Sequence, residues 1–382
     1  MNAKSLRKKN KNLSYFSHEY IIQNHGDIVS FVAMIIVMGL MFKVSTPLAS
    51  MFVVMSHNVT NNETLSNKLE NLYLPGRNDV LCCFFYTLIC IVIHAVIQEY
   101  GLDKLNKKLH LSKTKYSKFN ESGQLAVFYL VSAIWGANII YTEKYITSLS
   151  DLWETYPNIP LTFWAKFYFI FQICYWLHNY PELYFQKVKR DEMPGRVLYT
   201  TLYLFAVLMP YVLNMTRLGL VLLVANYIVE FIFHFSRLIY FSGRIKYAKI
   251  GFLLWDFLFV ATRILCTALA FLYFHVGLEQ KNQPTIKIAE GNFNTKIVRL
   301  NGLVFIFVTQ LYAMWNFLHF HMKRWREKAS IGKQGSKMLF DTKKKDGTKK
   351  KSKKDEDDLN ELPEADQNQQ KELRQRKSKT KL

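Results

Sequence analysis

The stretch RLGLVLLVANYIVEFIFHFSRLIYF, residues 217–241, sets Glu230 and His234 four positions apart in otherwise membrane-grade sequence. Four residues is about one helical turn, so the two side chains share a face. A carboxylate and an imidazole placed this way are the parts of a general acid–base pair, which needs a nucleophile or metal within reach. Other apolar stretches hold further polar groups: Asn226 one turn before Glu230, Asp256 and Arg263 later, and His94, Gln172 and His178 earlier. Ionisable groups at membrane depth cost several kcal/mol unless paired or hydrated, so all should face a bundle interior. An ion pair between Glu230 and Arg263 is the first reading, a polar lining for a lipid or peptide cavity the second, and proton or acyl chemistry the third. No H-x-x-x-D box, G-x-S-x-G elbow or phosphate-cradling glycine loop is present. Cys82, Cys83, Cys90, Cys174 and Cys266 all fall in apolar stretches without metal-ligand spacing, so neither a metal nor a cofactor is expected.

The elements that position these groups follow from hydropathy. Half of the 382 residues are hydrophobic, in blocks near 28–50, 80–98, 124–142, 161–180, 197–213, 218–236, 252–274 and 300–320. Blocks of roughly 17–25 residues separated by short polar connections mark a polytopic membrane protein, here all-α with eight transmembrane helices. The first block is interrupted by Lys43 and Pro47 and the fifth by Pro210. A net charge of +21 would suggest nucleic acid in a soluble chain, but here the lysines and arginines gather in alternate connections, at 104–118, 187–190 and 244–249. With the basic N-terminal segment and the lysine-rich tail on the same side, this predicts both termini in the cytosol and no DNA partner. An even number of spans is then required, as the eight blocks provide.

Four regions result: a basic arm at 1–27, two spans with an intervening loop and a cytosolic connector at 28–116, six further spans at 117–326, and a charged tail at 327–382. Within the arm, residues 15–27 read as a short interfacial helix. The connector alternates leucines with lysines and reads as an amphipathic helix on an anionic leaflet. The tail has too few apolar residues to fold and is expected to be disordered, a polycation suited to anionic lipid or ribosomal RNA. Sequons at Asn58 and Asn62 fall in the first non-cytosolic loop and are expected to be glycosylated, placing the chain in a secretory-pathway membrane; those at Asn120 and Asn214 are not expected to be used.

Several stretches together resemble a known family: SHEYIIQNHGDIV (17–29), HAVIQEYGLDKL (94–105), LSKTKYSKFNESGQL (111–125), YWLHNYPELYFQK (175–187), LNMTRLGLVLL (213–223) and GNFNTKIVRL (291–300). They are similar to the translocating-chain-associated membrane protein (TRAM) family of the endoplasmic reticulum. The resemblance implies an eight-span protein beside the Sec translocon that contacts signal sequences and hydrophobic segments of nascent chains, with the ribosome within reach of the tail. It also implies a TLC domain over about 117–326, a helical fold shared with ceramide synthases. In those enzymes a histidine pair precedes an Asn-x-x-Arg-x-Gly stretch, and a His-Asp and a further Asp follow it. Laid on Asn214, Arg217 and Gly219, this correspondence places Tyr199 and Thr200 at the histidine pair and Asn226 and Tyr227 at His-Asp, with only Glu230 keeping an acid. The resemblance therefore implies the scaffold of an acyltransferase without its chemistry, and a non-enzymatic role in translocation or insertion. Lipid binding or transfer in the same cavity stands as the alternative, ahead of acyl transfer.

Overall fold

The computed structural model describes residues 17–59, 71–157 and 159–341. Among these the secondary structure is almost entirely helical: α1 His18–Met38, α2 Thr46–Val53, α3 Asp79–Val96, α4 Asp103–Leu109, α5 Lys113–Thr142, α6 Phe163–Phe185, α7 Met193–Val212, α8 Thr216–Phe241, α9 Ile245–Phe271 and α10 Lys296–Asp341. Two short strands, β1 Leu72–Tyr73 and β2 Leu161–Thr162, pair antiparallel with Leu72 opposite Thr162. π-helical turns extend α3 over Ile97–Leu102 and α9 over Leu272–Gly277.

Every expected block is helical, but the first is broken. A kink at Asn24, whose side-chain amide bonds the Tyr20 carbonyl at 3.0 Å, fuses the expected interfacial helix to the span. The helix then tightens over Gly39–Met41 and restarts as α2. Lys43 and Pro47 account for the break, and hydroxyls repair it: Ser45 donates to the Gly39 carbonyl at 2.7 Å and Thr46 to the Phe42 carbonyl at 2.7 Å. In a hydrocarbon environment freed carbonyls need such partners.

Seven helical stretches among the described residues are long and apolar enough to cross a membrane. The remaining expected span, α6, has the length but not the hydropathy, because it holds Lys166, Gln172, His178 and Glu182, all buried. It lies inside the bundle, packed on α3, α5 and α7, while α8 packs on α5 and α9. Half of the most apolar window of α8 is buried, against 6% for α1 and α10, so the last helix is peripheral.

Two expectations need correction. Leu102, Leu109 and Leu111 of the connector pack with Phe119, Tyr240 and Phe241 on the bundle itself, because α4 is only two turns long and folds back; Leu105 alone of these leucines is exposed. Helix α10 runs through Asp341, so the start of the expected disordered tail at 327 is helical, whereas 342–382 lie outside the described residues.

The loops gather by charge. The lysine-bearing connections meet at one end, where Arg196 at the start of α7 reaches Glu121 of α5 at 3.3 Å. The loops after α2, α5, α7 and α9 meet at the other, forming a packed cap. There Lys281 bonds the Trp153 carbonyl at 3.3 Å, Arg217 donates to the Asp151 carbonyl at 2.6 Å, and the Phe293 amide donates to the Tyr156 hydroxyl at 2.9 Å. Burial pushes the Tyr156 phenol above its ordinary range. The Ser148 amide and hydroxyl, at 2.7 and 2.9 Å, hold the Asp151 carboxyl below its ordinary range.

Candidate functional site: a closed polar centre and an open groove

Tyr199, Asn226 and Tyr227, at the positions of the acyltransferase histidine pair and His-Asp, meet at the centre of the bundle, whereas Asn214 and Arg217 stand at the cap. Tyr199 on α7 shares a 2.6 Å hydrogen bond with Tyr129 on α5. Tyr227 on α8 accepts from the Trp176 indole at 3.3 Å, and that indole stacks on Tyr203 with centroids 4.4 Å apart. Asn226 donates to the Tyr203 hydroxyl at 2.8 Å and accepts from Arg263 of α9. Thr200 is buried beside this set. Phenols, indole and amide therefore satisfy one another where an acyl-transfer base would stand, an arrangement that cements helices.

Glu230, His234, Arg263, Asn226 and His178, expected to line a cavity, do not form one site. His234 is buried, its ring stacked on Tyr129 with centroids 5.7 Å apart, and its Nδ1 has no hydrogen-bond partner among the described residues. Glu230 is half-buried one turn away, within electrostatic reach of Tyr129 and Tyr203. Arg263 donates to Gln310 of α10 at 3.0 Å as well as to Asn226, and lies over the Phe259 ring at 4.8 Å. His178 belongs to a separate cluster near the basic end: it bonds the Tyr175 carbonyl and stands 3.3 Å from His94, which is 3.3 Å from Glu182. Among the described residues no group of three or more His, Cys, Asp or Glu could hold a metal ion.

Beneath the cap lies a second buried polar set that sequence reasoning does not reveal. Asp79 at the start of α3 pairs with Lys166 of α6 at 2.8 Å, and both are almost fully buried. Lys166 also donates to the Ser56 and Leu74 carbonyls at 2.8 Å each, while Asp79 accepts from the Gly76 amide and the Tyr211 hydroxyl, both at 2.7 Å. In sequence Asp79 just precedes one apolar block and Lys166 lies within another, and nothing local marks them as partners.

Between α9 and α10 a groove of about 610 Å³ runs along the surface. Ile264, Thr267 and Phe271 form one wall and Val304, Phe307 and Leu311 the other, with Arg263 and Gln310 as its charged and amide groups. Gln310 stands in a block that also holds Asn301, Asn316 and His319, so no local pattern in the sequence marks the groove. Among Glu230, His234, Arg263, Asn226 and His178, the residues expected to line a cavity, only Arg263 lines this groove.

At the cap, Asn58 is exposed and bridges to Tyr73 at the edge of the small sheet. Asn62 lies outside the described residues. Asn214 is buried and donates to the Pro157 carbonyl, which leaves its amide inaccessible to a glycosylating enzyme.

The TLC domain family matches residues 118–319. Translocating chain-associated membrane protein 2 of Homo sapiens is 41% identical over 323 residues, covering 85% of this chain and 86% of that one, and its Mus musculus counterpart matches equally. More distant similarity links the chain to a sphingosine N-acyltransferase-like protein of Alternaria alternata, 25% identical over 179 residues (46% of this chain, 41% of that one). A ceramide synthase of Gibberella moniliformis is 23% identical over 218 residues (57% and 49%). With this identity sustained along most of both chains and a TLC domain at its centre, the chain belongs to the translocating chain-associated membrane protein family.

Proposed function

We infer that this chain is a non-enzymatic, multi-pass protein of the endoplasmic-reticulum membrane that works beside the Sec translocon, assisting translocation or insertion of nascent secretory and membrane proteins. The observation that carries the reading is kinship with a chain named for association with translocating chains, over 85% of the present sequence. The site supports it: the positions of the acyl-transfer histidines hold Tyr199 and Thr200, and Tyr199 is bonded to Tyr129. The end that collects the lysine-rich connections faces the cytosol with both termini, and the cap faces the lumen, with Asn58 and Asn62 as glycan acceptors. Signal sequences and transmembrane segments are the clients, membrane lipids the surroundings, and the ribosome lies within reach of the basic tail.

Partly polar segments enter bare hydrocarbon at high cost, and a bundle with polar groups at its centre and a thin, loosely covered flank lowers that cost. The test is translocation reconstituted in vesicles containing this protein, with a photo-crosslinker in the signal sequence of a stalled nascent chain. A crosslink to this chain that disappears when the signal is made polar is expected. Absence of a crosslink together with unchanged translocation overturns the reading. Transfer of acyl groups from acyl-CoA to a sphingoid base by the purified protein would overturn its non-enzymatic part.

A further inference from the structure

The basic end of the bundle carries two charged segments, far apart in sequence, that the fold sets on one seat. Lys104, Lys107 and Lys108 lie three and four residues apart on α4, so they share a face, and all are exposed. The opposite side of that turn, through Leu102 and Leu109, joins an apolar cluster with Phe119 near the start of α5, Phe241 at the end of α8 and Ala248 in the first turn of α9. Over the same cluster the α8–α9 turn exposes Arg244, Lys246 and Lys249. Because the cluster is built from helix termini, it marks the end of the bundle and not its flank. A leaflet surrounds the flanks, whereas the end faces the aqueous phase.

These six cations have no ion-pair partner among the described residues, and the neighbouring acids are engaged elsewhere. Asp103 accepts from the Gln98 amide at 2.7 Å and the Tyr116 hydroxyl at 2.6 Å, while Glu121 and Glu192 both meet Arg196, at 3.3 and 3.6 Å. The positive-inside rule accounts for cations on one side of a membrane, but not for their convergence on one seat with the acids consumed. Such a cluster attracts a polyanion, releasing a counterion for each phosphate it meets. Tyr100 and Tyr247, 63% and 64% exposed, stand among the lysines, and Lys104 lies over the Tyr100 ring at 5.4 Å. Exposed aromatic rings beside cations are the stacking element of single-stranded nucleic-acid sites.

We propose that α4 and the α8–α9 turn form a docking surface for the phosphate backbone of ribosomal RNA, separate from the C-terminal tail. The proposal rests on the reading that this end faces the cytosol beside the translocon, where a translating ribosome is the polyanion held nearest to it.

The test measures co-sedimentation of the purified full chain with ribosomes over a series of salt concentrations. One variant combines Lys104→Glu, Lys107→Glu and Lys108→Glu, and a second combines Arg244→Glu, Lys246→Glu and Lys249→Glu. All six positions are exposed, so the fold is retained, and thermal melting checks it. Each triple variant should weaken ribosome binding about tenfold or more at moderate salt. The slope of log affinity against log salt should fall by about 2 to 3, from three phosphate contacts at roughly 0.7 to 0.9 each. The tail is the same in every chain, so its share remains as residual affinity. Wild-type ribosome affinity in both triple variants overturns the proposal; if the phosphatidylserine that co-purifies with them also falls, the occupant is an anionic leaflet. Signal-sequence crosslinking in the same variants keeps the two readings apart. A crosslink that persists beside unchanged ribosome binding sinks this surface alone, whereas a wild-type chain that binds ribosomes through these residues but gives no crosslink supports the surface and counts against the role in insertion.

Discussion

The centre of the bundle and its α9–α10 flank hold bonded polar side chains in different surroundings. In the centre Tyr129, Tyr199, Tyr203, Tyr227, Trp176 and Asn226 bond one another, and beneath the cap Asp79 and Lys166 are closed off with main-chain partners. At the flank, Arg263 and Gln310 bond each other but stand in the wall of an open groove. A polar group bonded within the protein has a structural role, whether it stands deep in the bundle or behind the almost wholly apolar wall of a groove.

The contrast breaks most readily at the Asp79–Lys166 pair. Asp79→Ala leaves the Lys166 ammonium buried with two carbonyls and no counter-charge, and should cost about 3–5 kcal/mol. Thermal unfolding in detergent should show the loss, and replacement of both residues by apolar side chains should recover much of it. If Asp79→Ala unfolds like the parent, the pair is hydrated and the cap is not the closed structure described.

A smaller effect is expected at the junction of the two regions. Asn226→Ala removes a partner from the Tyr203 hydroxyl and another from the Arg263 guanidinium, at a cost of about 1–3 kcal/mol. Combining it with Tyr203→Phe should cost less than the sum of the two changes, because the variants share a bond. Strict additivity would mean that the two side chains are not coupled. At the flank itself Phe307→Ala should change stability by about 0.5 kcal/mol or less, because the half-exposed ring contacts lipid tails that are as apolar as itself. A large loss there would erase the distinction between closed centre and open groove.

How much of this is legible in the sequence depends on distance along the chain. Helix positions follow from hydropathy alone, and Lys43 and Pro47 mark the break between α1 and α2. That α6 is internal is readable in Gln172 and His178, since a lipid-facing helix does not tolerate such groups. Pairings between helices are not readable. Asp79 meets Lys166 and His94 meets His178 only because α3 packs on α6, and the rotation of each helix about its axis is set by tertiary packing that no local pattern records. The groove is hidden for the same reason: its existence depends on α10 standing partly away from α9. Asn226 and Gln310, which are neutral, give no local sign in the sequence that they bond the Arg263 guanidinium.

The mildest test concerns the cap, whose order keeps the central aromatic set closed from that side. Asp151 is half-buried, and its carboxylate accepts from the Ser148 amide and hydroxyl, which lower its pKa in the folded chain relative to the unfolded one. A depressed carboxylate contributes stability that is fully present above the unfolded pKa, about 3.9, and is lost as pH falls through the folded value. Wild type should therefore melt slightly above Asp151→Asn at neutral pH, and the gap should narrow as the pH drops below about 4. Comparison of the two melting curves across that range isolates the capping box, because every other titrating group is common to both proteins. A gap that stays constant to low pH would assign the difference to packing of the Ser148–Asp151 turn and not to its charge.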